Sequence, residues 1–246
     1  MSISRHHNGL EGYLRNVAML SRDEFDAIEF GAARTGDHRV AAVQMSQLAS
    51  TCTQSNDMSR AEALLRAGEQ WLLADDPAAA VDGFREALLA LADPHPAPLS
   101  LADPDPAPAD GGATLVEARV SLARALFQLG QADEARGLIG QLEADGRTDP
   151  KKCDLVAELL VEQSDPIGAL DWANTGVELC LAAAGPDGAG PAAGAGSVTA
   201  DGAFVPQTLP PAVDRTELRM LLSLRYRIRN DMGLDEDAYD KLLDEF

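Results

Sequence analysis

The chain has 246 residues, of which 46% are hydrophobic and 4% aromatic. This length can bury a sizeable core in one or two domains, and Ala and Leu can pack between close helices without many aromatic or β-branched side chains. The 40 acidic and 20 basic residues give a formal charge of −20, which repels nucleic acid and anionic lipid and argues against both as partners.

The sequence carries no marker of a secreted or membrane protein. Its three cysteines, Cys52, Cys153 and Cys180, have no paired spacing, which argues against a disulfide framework or a zinc site. No apolar run has the length of a signal peptide or the ~18 residues of a membrane span. We therefore expect a cytoplasmic protein.

Hydrophobic periodicity predicts three helices in an N-terminal helical region, residues 1–57. The first begins at Asn8 and ends near Leu20. The second begins at Ser21, which forms a capping-box spacing with Glu24, and stops at Thr35-Gly36. The third follows Asp37 and has an apolar stripe of Ala41, Met45, Leu48 and Cys52. This stripe predicts that Cys52 is a core thiol.

The next segment predicts a helical hairpin. One helix begins at Ser59 and its partner begins at Asp76-Pro77, because Asp is a good N-cap and Pro fits the first turn of a helix. Small and aromatic residues recur at helical spacing across the pair, namely Gly68, Trp71, Ala80, Phe84 and Ala87.

This hairpin pattern recurs twice further along the chain. A unit that starts at Val116 carries Leu122, Ala123, Leu126, Gly130, Ala135 and Ile139 in the same frame. A unit that starts at Pro150 carries Val156, Ala157, Leu160, Ala169, Ala173 and Gly176. The two starts are 34 residues apart, and Asp165-Pro166 repeats the turn of Asp76-Pro77.

In these residues the chain resembles the tetratricopeptide repeat (TPR) family. When counting starts at Ala61, the five small and aromatic residues of the first hairpin all fall at positions where that family has a small residue, an aromatic residue or alanine. The resemblance covers residues 59–91 and 114–184. It implies an all-α fold, a right-handed helical-hairpin solenoid of three TPR-like repeats over 58–184, with additional N-terminal and C-terminal helices.

Two low-complexity stretches interrupt this plan. A Pro-rich insertion at 92–112 separates the first two repeats, since dense proline forbids helix. A Gly/Ala/Pro-rich linker at 185–213 cannot bury enough surface to offset its ordering entropy, so we expect it to be flexible unless Phe204 docks into a groove.

Residues 214–246 predict C-terminal capping helices. Asp214 caps a leucine-rich helix that stops at Gly233-Leu234, and an acidic helix follows from Asp235 to Phe246 with a solvated acidic face. A basic cluster on this region is expected to pair with the chain's own carboxylates, and comprises Arg215, Arg219, Arg225, Arg227 and Arg229. The ending also resembles that of some bacterial repeat proteins with a zinc-binding SEC-C module, although the cysteines and histidine of that module are absent.

The family resemblance implies that the first helix of each repeat lines a concave groove. In the first repeat the groove residues are Glu62, Leu65, Glu69, Leu72 and Leu73. In the second they are Glu117, Val120, Arg124, Phe127 and Gln128. In the third they are Lys151, Asp154, Glu158, Val161 and Glu162. An apolar floor edged with carboxylates favours a basic or amphipathic peptide segment, whereas Leu65 and Glu69 argue against chaperone-tail binding.

The predicted function is therefore that of a protein-protein interaction module, a TPR scaffold or adaptor, with a homodimer left open. A helical regulatory or accessory subunit of an enzyme or transcription complex is the alternative. A more distant alternative is a DNA-reading helix-turn-helix within residues 21–52, but only Arg39 is basic in its longer helix.

No catalytic or cofactor pattern is present, so we expect no enzyme activity, no cofactor and no metal. The four histidines have no ligand or triad spacing, and lie at His6, His7, His38 and His95. The sequence contains no nucleophile elbow, zinc-protease motif or P-loop, and its glycine-rich run from Gly185 to Gly196 follows no predicted strand.

Overall fold

The computed structural model describes residues 19–51, 54–55, 57–92, 111–183, 196–198, 204–206 and 214–246. These residues form an all-α protein of nine α-helices and one 3₁₀ helix, with two very small sheets. The chain divides into two compact units, residues 1–135 and 136–246.

The α-helices are α1 (Arg22–Thr35), α2 (His38–Thr51), α3 (Arg60–Leu73), α4 (Pro77–Ala92), α5 (Gly111–Gln128), α6 (Ala132–Ala144), α7 (Pro150–Glu162), α8 (Pro166–Ala183) and α9 (Arg215–Asp231). The 3₁₀ helix is Asp240–Glu245, and the strands are β1 (Met19–Leu20), β2 (Gln54–Ser55), β3 (Gly196–Val198) and β4 (Phe204–Pro206). No described helix is both long enough and apolar enough to cross a bilayer.

Helices pack in sequential pairs within each unit. In the first unit, α1 packs on α2, α2 on α3, α3 on α4 and α4 on α5, and α3 also contacts α5. In the second unit, α7 packs on α8, α8 on α9, and α9 contacts both α7 and the 3₁₀ helix. The predicted all-α class and sequential helix pairing are confirmed.

Three of the turns between paired helices share one geometry. Each contains a residue of positive φ two positions before the second helix, namely Asp75 (57°), Gly130 (74°) and Ser164 (59°). The N–H of the next residue donates to a carbonyl five residues earlier, in the bonds Asp76 to Trp71, Gln131 to Leu126 and Asp165 to Leu160. These turns recur at the spacings that the sequence predicts for the three hairpins.

Side-chain caps fix where the hairpin helices begin. Ser59 accepts a bond of 3.0 Å from the N–H of Glu62 and caps α3. The Asp76 carboxylate accepts from the N–H of Ala79 at 3.2 Å, and Asp165 accepts from that of Gly168 at 3.0 Å. Each Asp-Pro turn therefore starts its helix as predicted.

Close packing within the first hairpin explains its small residue. A Cβ on Gly68 would lie 2.4 Å from Cε1 of Phe84, and the Phe84 side chain is fully buried. In the second unit, a Cβ on Gly176 would lie 2.7 Å from Cδ2 of Leu221. Glycine at both positions lets the helices approach closely.

The N-terminal region differs from its prediction in two ways. The predicted helix does not extend to Leu20, because Met19–Leu20 is β1, which pairs in parallel with β2 through Met19–Gln54 and Leu20–Ser55, and Leu20 is buried in the core with Phe25. Ser21 is the N-cap of α1 but makes no side-chain cap bond, so the capping box with Glu24 does not form. The stop at Gly36 is confirmed, with φ at 80°.

Several other predictions fall partly outside the described residues. Outside the described residues lie the helix predicted from Asn8, the thiol of Cys52 and residues 93–110 of the Pro-rich insertion. At the two ends of the predicted insertion, Ala92 belongs to α4 and Gly111-Gly112 belongs to α5. Within the linker predicted at 185–213, the described residues pair as antiparallel strands β3 and β4. That pairing was not predicted.

The final acidic segment was predicted to be helical from Asp235, whereas its helix is of the 3₁₀ type and begins only at Asp240. Asp237 and Asp240 bond to arginines of α9. Arg225 is 3% exposed and donates to Asp240 at 2.6 Å and to Asp237. The buried Asp240 also accepts from Arg229 at 3.0 Å. The acidic face is therefore not wholly solvated, whereas the predicted pairing of the basic cluster with the chain's own carboxylates holds for these two arginines.

Candidate functional site

The predicted groove residues differ widely in exposure. Six are exposed, namely Glu69, Leu73, Gln128, Lys151, Glu158 and Glu162. Six are half-buried, namely Glu62, Leu72, Glu117, Arg124, Phe127 and Val161. Three are buried, and these are Leu65, Val120 and Asp154. Leu65 and Val120 are 3% and 1% exposed, so they stabilise helix packing and offer a partner little surface.

Carboxylates from three different helices meet around Glu69 in the first unit. Loss of hydration raises the pKa of Glu69 to about 7, and the negative charges of Glu29 on α1 and Glu117 on α5 raise it further, against Arg66 and Arg124. Glu69 itself remains exposed, so water screens part of this repulsion. The raised pKa thus marks a shared acidic surface in contact with solvent and not a buried charge.

An arginine holds α1 in place beside α3 on this surface. Arg66 donates from Nε to Glu29 at 2.8 Å and from Nη2 to both Glu29 and Asp26 at 2.5 Å. Its guanidinium lies 5.7 Å from the ring centroid of Phe25. Hydrogen bonding to Glu29 is the largest cause that holds the pKa of Arg66 above its ordinary value. This fork holds Glu29 of α1 against α3, the helix that also carries Glu69.

The second unit contains an open cleft between α7 and α9. Its volume is about 430 Å³. The α7 side contributes two carboxylates, Asp154 and Glu158. The α9 side contributes hydroxyl, apolar and basic side chains, namely Thr216, Arg219, Met220, Ser223, Leu224 and Arg227. The cleft joins two predicted groove residues with two arginines of the C-terminal basic cluster.

Asp154 is the most enclosed charge of this cleft. It is 6% exposed, and within the described parts of the chain no group donates a hydrogen bond to its carboxylate. Burial raises the pKa of Asp154 to about 6, with the charges of Glu158 and Glu217 adding to the rise and Arg227 opposing it. The carboxylate therefore lines the cleft with acceptors that are open to water and to a bound group.

A carboxylate of α9 that raises the pKa of Asp154 is also poorly satisfied. Oε1 of Glu217, on the first turn of α9, is buried and accepts no hydrogen bond from any described residue. Burial raises the pKa of Glu217, and Asp214 and Asp149 raise it further against Lys151. Burial thus raises the pKa of two carboxylates in the second unit, Asp154 on α7 and Glu217 on α9.

The cysteines near this region are core residues. Cys153 and Cys180 are buried and reduced. Burial raises the pKa of Cys153 to about 11 and that of Cys180 to about 12, so neither thiol forms a thiolate near neutral pH. Among the described residues, no group of three or more His, Cys, Asp or Glu side chains is placed to hold a metal ion.

Sequence reasoning missed part of each site. It assigned no role to Asp26 and Glu29, because α1 lies outside the segments that resemble the repeat family. It named Arg219 and Arg227 as a basic cluster without relating them to Asp154. A signal for α1 was present, since the stop at Gly36 precedes α2 by two residues as Asp75 precedes α4. Comparisons of the chain with family models, with curated proteins and with solved structures find no match, so they show no family for it.

Proposed function

We propose that this chain is a TPR-like helical repeat protein that binds another protein through an acidic surface of its first unit, formed by α1, α3 and α5, the first helices of successive helix pairs. The partner segment is basic or amphipathic. The chain acts as a scaffold or adaptor by this binding.

The turn geometry supports the repeat assignment. The positive-φ residues of the three hairpins stand at one equivalent position, at intervals of 55 and 34 residues from Asp75 through Gly130 to Ser164. First helices also contact each other, α3 with α5 in one unit and α7 with α9 in the other. Such contacts are expected when successive hairpins stack, because each hairpin buries its apolar face against the next.

The pair α1–α2 extends this plan by one hairpin. It ends α1 with a left-handed Gly36, whose N–H donates to the carbonyl of Ala32 at 2.7 Å. Its first helix bears Glu29, whose charge raises the pKa of the first-helix residue Glu69. We therefore propose a fourth hairpin ahead of the three in the sequence pattern.

The convergence of carboxylates on Glu69 is the observation that carries the binding proposal. Glu29, Glu69 and Glu117 come from the first helices of three successive pairs, and their mutual repulsion contributes to the pKa of about 7 at Glu69. Such repulsion costs stability in the free protein, and a basic segment would relieve it on binding. An amphipathic helix would also cover the exposed Leu73 of the same first helix.

Charge reversal at Glu69 tests the proposal. The probes are two fluorescein-labelled model helices, one of alternating Leu and Lys blocks and one with Glu in place of Lys, measured by anisotropy. We expect the basic helix to bind and the acidic helix not to bind. Glu69→Lys should weaken binding of the basic helix by about tenfold, since like charges at an interface cost at least about 1.4 kcal/mol.

The matched control is Asp82→Lys, which makes the same charge change at an exposed position of the second helix α4. It should stay within about twofold of wild type if the first-helix surface binds the probe. Equal losses in the two variants would mean that only net charge matters, and the proposed surface would be wrong.

A further inference from the structure

We propose that the α7–α9 cleft is a receptor pocket for one Lys or Arg side chain of the partner segment, with Asp154 as its counter-ion. This inference rests on the proposed function, because it names a specificity position within peptide binding. It concerns the second unit alone.

The buried carboxylate is the first reason. Asp154 is 6% exposed and lines the cleft, and no described group donates a hydrogen bond to it. An ionised carboxylate without donors is costly to bury. A guanidinium or ammonium group supplies several charged donors at once, so its entry would satisfy the acceptors that the fold leaves open.

The walls of the cleft suit the rest of a basic side chain. Met220 and Leu224 give an apolar wall, and the hydroxyls of Thr216 and Ser223 lie beside it. Lys and Arg bury an apolar stem while their charged head seeks polar groups. The volume of about 430 Å³ is within the range of sites that enclose small ligands.

The positions of the charges favour a cation at the enclosed end of the cleft. Asp154, which is 6% exposed, is the buried charge of the lining. The two arginines of the cleft, Arg219 and Arg227, are exposed. A cation therefore fits the enclosed end, while the arginines can pair with acidic residues that flank the basic residue in the partner.

The first test uses small probes on the full chain. Nα-acetyl-arginine amide and Nα-acetyl-lysine amide are titrated into carboxyl-labelled protein, with the neutral Nα-acetyl-norleucine amide as comparator, and the Asp154 carbon is followed by NMR against pH. Saturation with either basic probe should lower the midpoint for Asp154 by about one pH unit, which corresponds to tenfold tighter binding to the ionised form. Norleucine amide should leave it unchanged.

Two variants locate the effect. Asp154→Asn keeps the size of the side chain and removes its charge, so it should weaken binding of the basic probes at least about tenfold. Glu178→Gln removes one charge from an exposed position on α8, outside the cleft, and should bind like wild type. Equal weakening in both variants, or an Asp154 midpoint that no basic probe moves, would overturn the pocket.

A random twelve-residue peptide library, selected on wild type and on Asp154→Asn, separates this inference from the proposed function. Enrichment of Lys or Arg at one position that disappears in the variant supports both. Peptides selected equally by wild type and variant would overturn the pocket and leave the proposed function standing. If the small probes lower the Asp154 midpoint but no peptide is selected, the pocket stands and peptide binding by this chain is overturned.

Discussion

Replacement of Asp154 by Asn should stabilise the free protein at neutral pH. The pKa of this carboxyl is about 6 in the folded chain, against an ordinary value of 3.8. The folded state therefore binds the proton more tightly than the unfolded state does. The stabilisation that the folded state gains by binding this proton more tightly is fully present below pH 4 and is lost as pH rises through about 6. Two pKa units correspond to about 3 kcal/mol, which is the upper limit of the gain at pH 7 because the cleft is open to water.

The assay is urea unfolding of wild type and Asp154→Asn at several pH values between 5 and 7.5. The difference in free energy of unfolding should grow with pH and level off above pH 7, since the wild-type carboxyl is then fully ionised. Equal m-values in the two proteins are required before the free energies are compared. Glu178→Gln, the exposed control on α8, should show little difference from wild type at any pH.

The result that would refute this reasoning is a destabilised Asp154→Asn at pH 7. Such a result would mean that the carboxylate receives a stabilising hydrogen bond in solution, since removal of a satisfied buried charge costs stability. A gain that does not vary with pH would refute the electrostatic origin alone. In that case desolvation of Asp154 would not be what the mutation relieves.

Three further predictions concern the packing and turns, each measured by thermal and urea unfolding. Gly68→Ala should destabilise by about 1–3 kcal/mol through overpacking, whereas Gly83→Ala, whose added Cβ would have nothing closer than 3.6 Å, should be neutral or gain about 0.5–1 kcal/mol. Asp75→Gly should stabilise by about 1 kcal/mol, because Asp75 adopts a left-handed φ of 57° that glycine adopts without strain. Arg225→Ala should cost about 3–5 kcal/mol by leaving Asp240 buried and unpaired, and adding Asp240→Asn should recover part of that loss. Equal effects of the two glycine changes would contradict the overpacking argument, and a destabilised Asp75→Gly would contradict the argument from backbone strain. Additive effects of Arg225→Ala and Asp240→Asn would contradict the argument that Asp240 is left unpaired.

The hairpins could be predicted from sequence because their signals are local. An Asp-Pro pair sets the start of a helix through the N–H groups of its own first turn, as Asp76 and Asp165 do. Small residues such as Gly68 mark close helix contacts within one hairpin. Signals of this kind depend on residues a few positions apart or on one repeat period, so periodicity detects them.

The acidic C-terminus could not be predicted because its partners are distant in the sequence pattern. Asp240 bonds to Arg225, 15 residues earlier and across a chain reversal at Gly233. The number of charges along the segment is the same whether a carboxylate faces solvent or pairs with an arginine, so the sequence does not distinguish the two cases. The same limit hid the link between Asp154 and Arg227, which only the packing of α7 against α9 establishes.

The groove prediction identified the acidic character of the first helices but not the accessibility of single residues. Leu65 and Val120 occupy positions that the family resemblance assigns to a groove, yet both are buried. The helix period gives the direction of a side chain and not the depth at which neighbouring helices enclose it. Variants that introduce Asp at these two positions would therefore unfold the first unit and would not test binding.

The direction of each pKa change separates structural carboxylates from candidate binding carboxylates in this protein. At Asp237 burial would raise the pKa, but hydrogen bonding to Arg225 overcomes it and lowers the pKa, so the ionised form stabilises the fold. At Glu69 and Asp154 loss of hydration and neighbouring carboxylates raise the pKa, and the opposing arginines do not outweigh them. A fold gains nothing from holding charges in that state, and a basic partner would remove the cost. If so, partner binding should lower the pKa of Glu69 and Asp154 and leave that of Asp237 unchanged, which carboxyl NMR can measure in one titration.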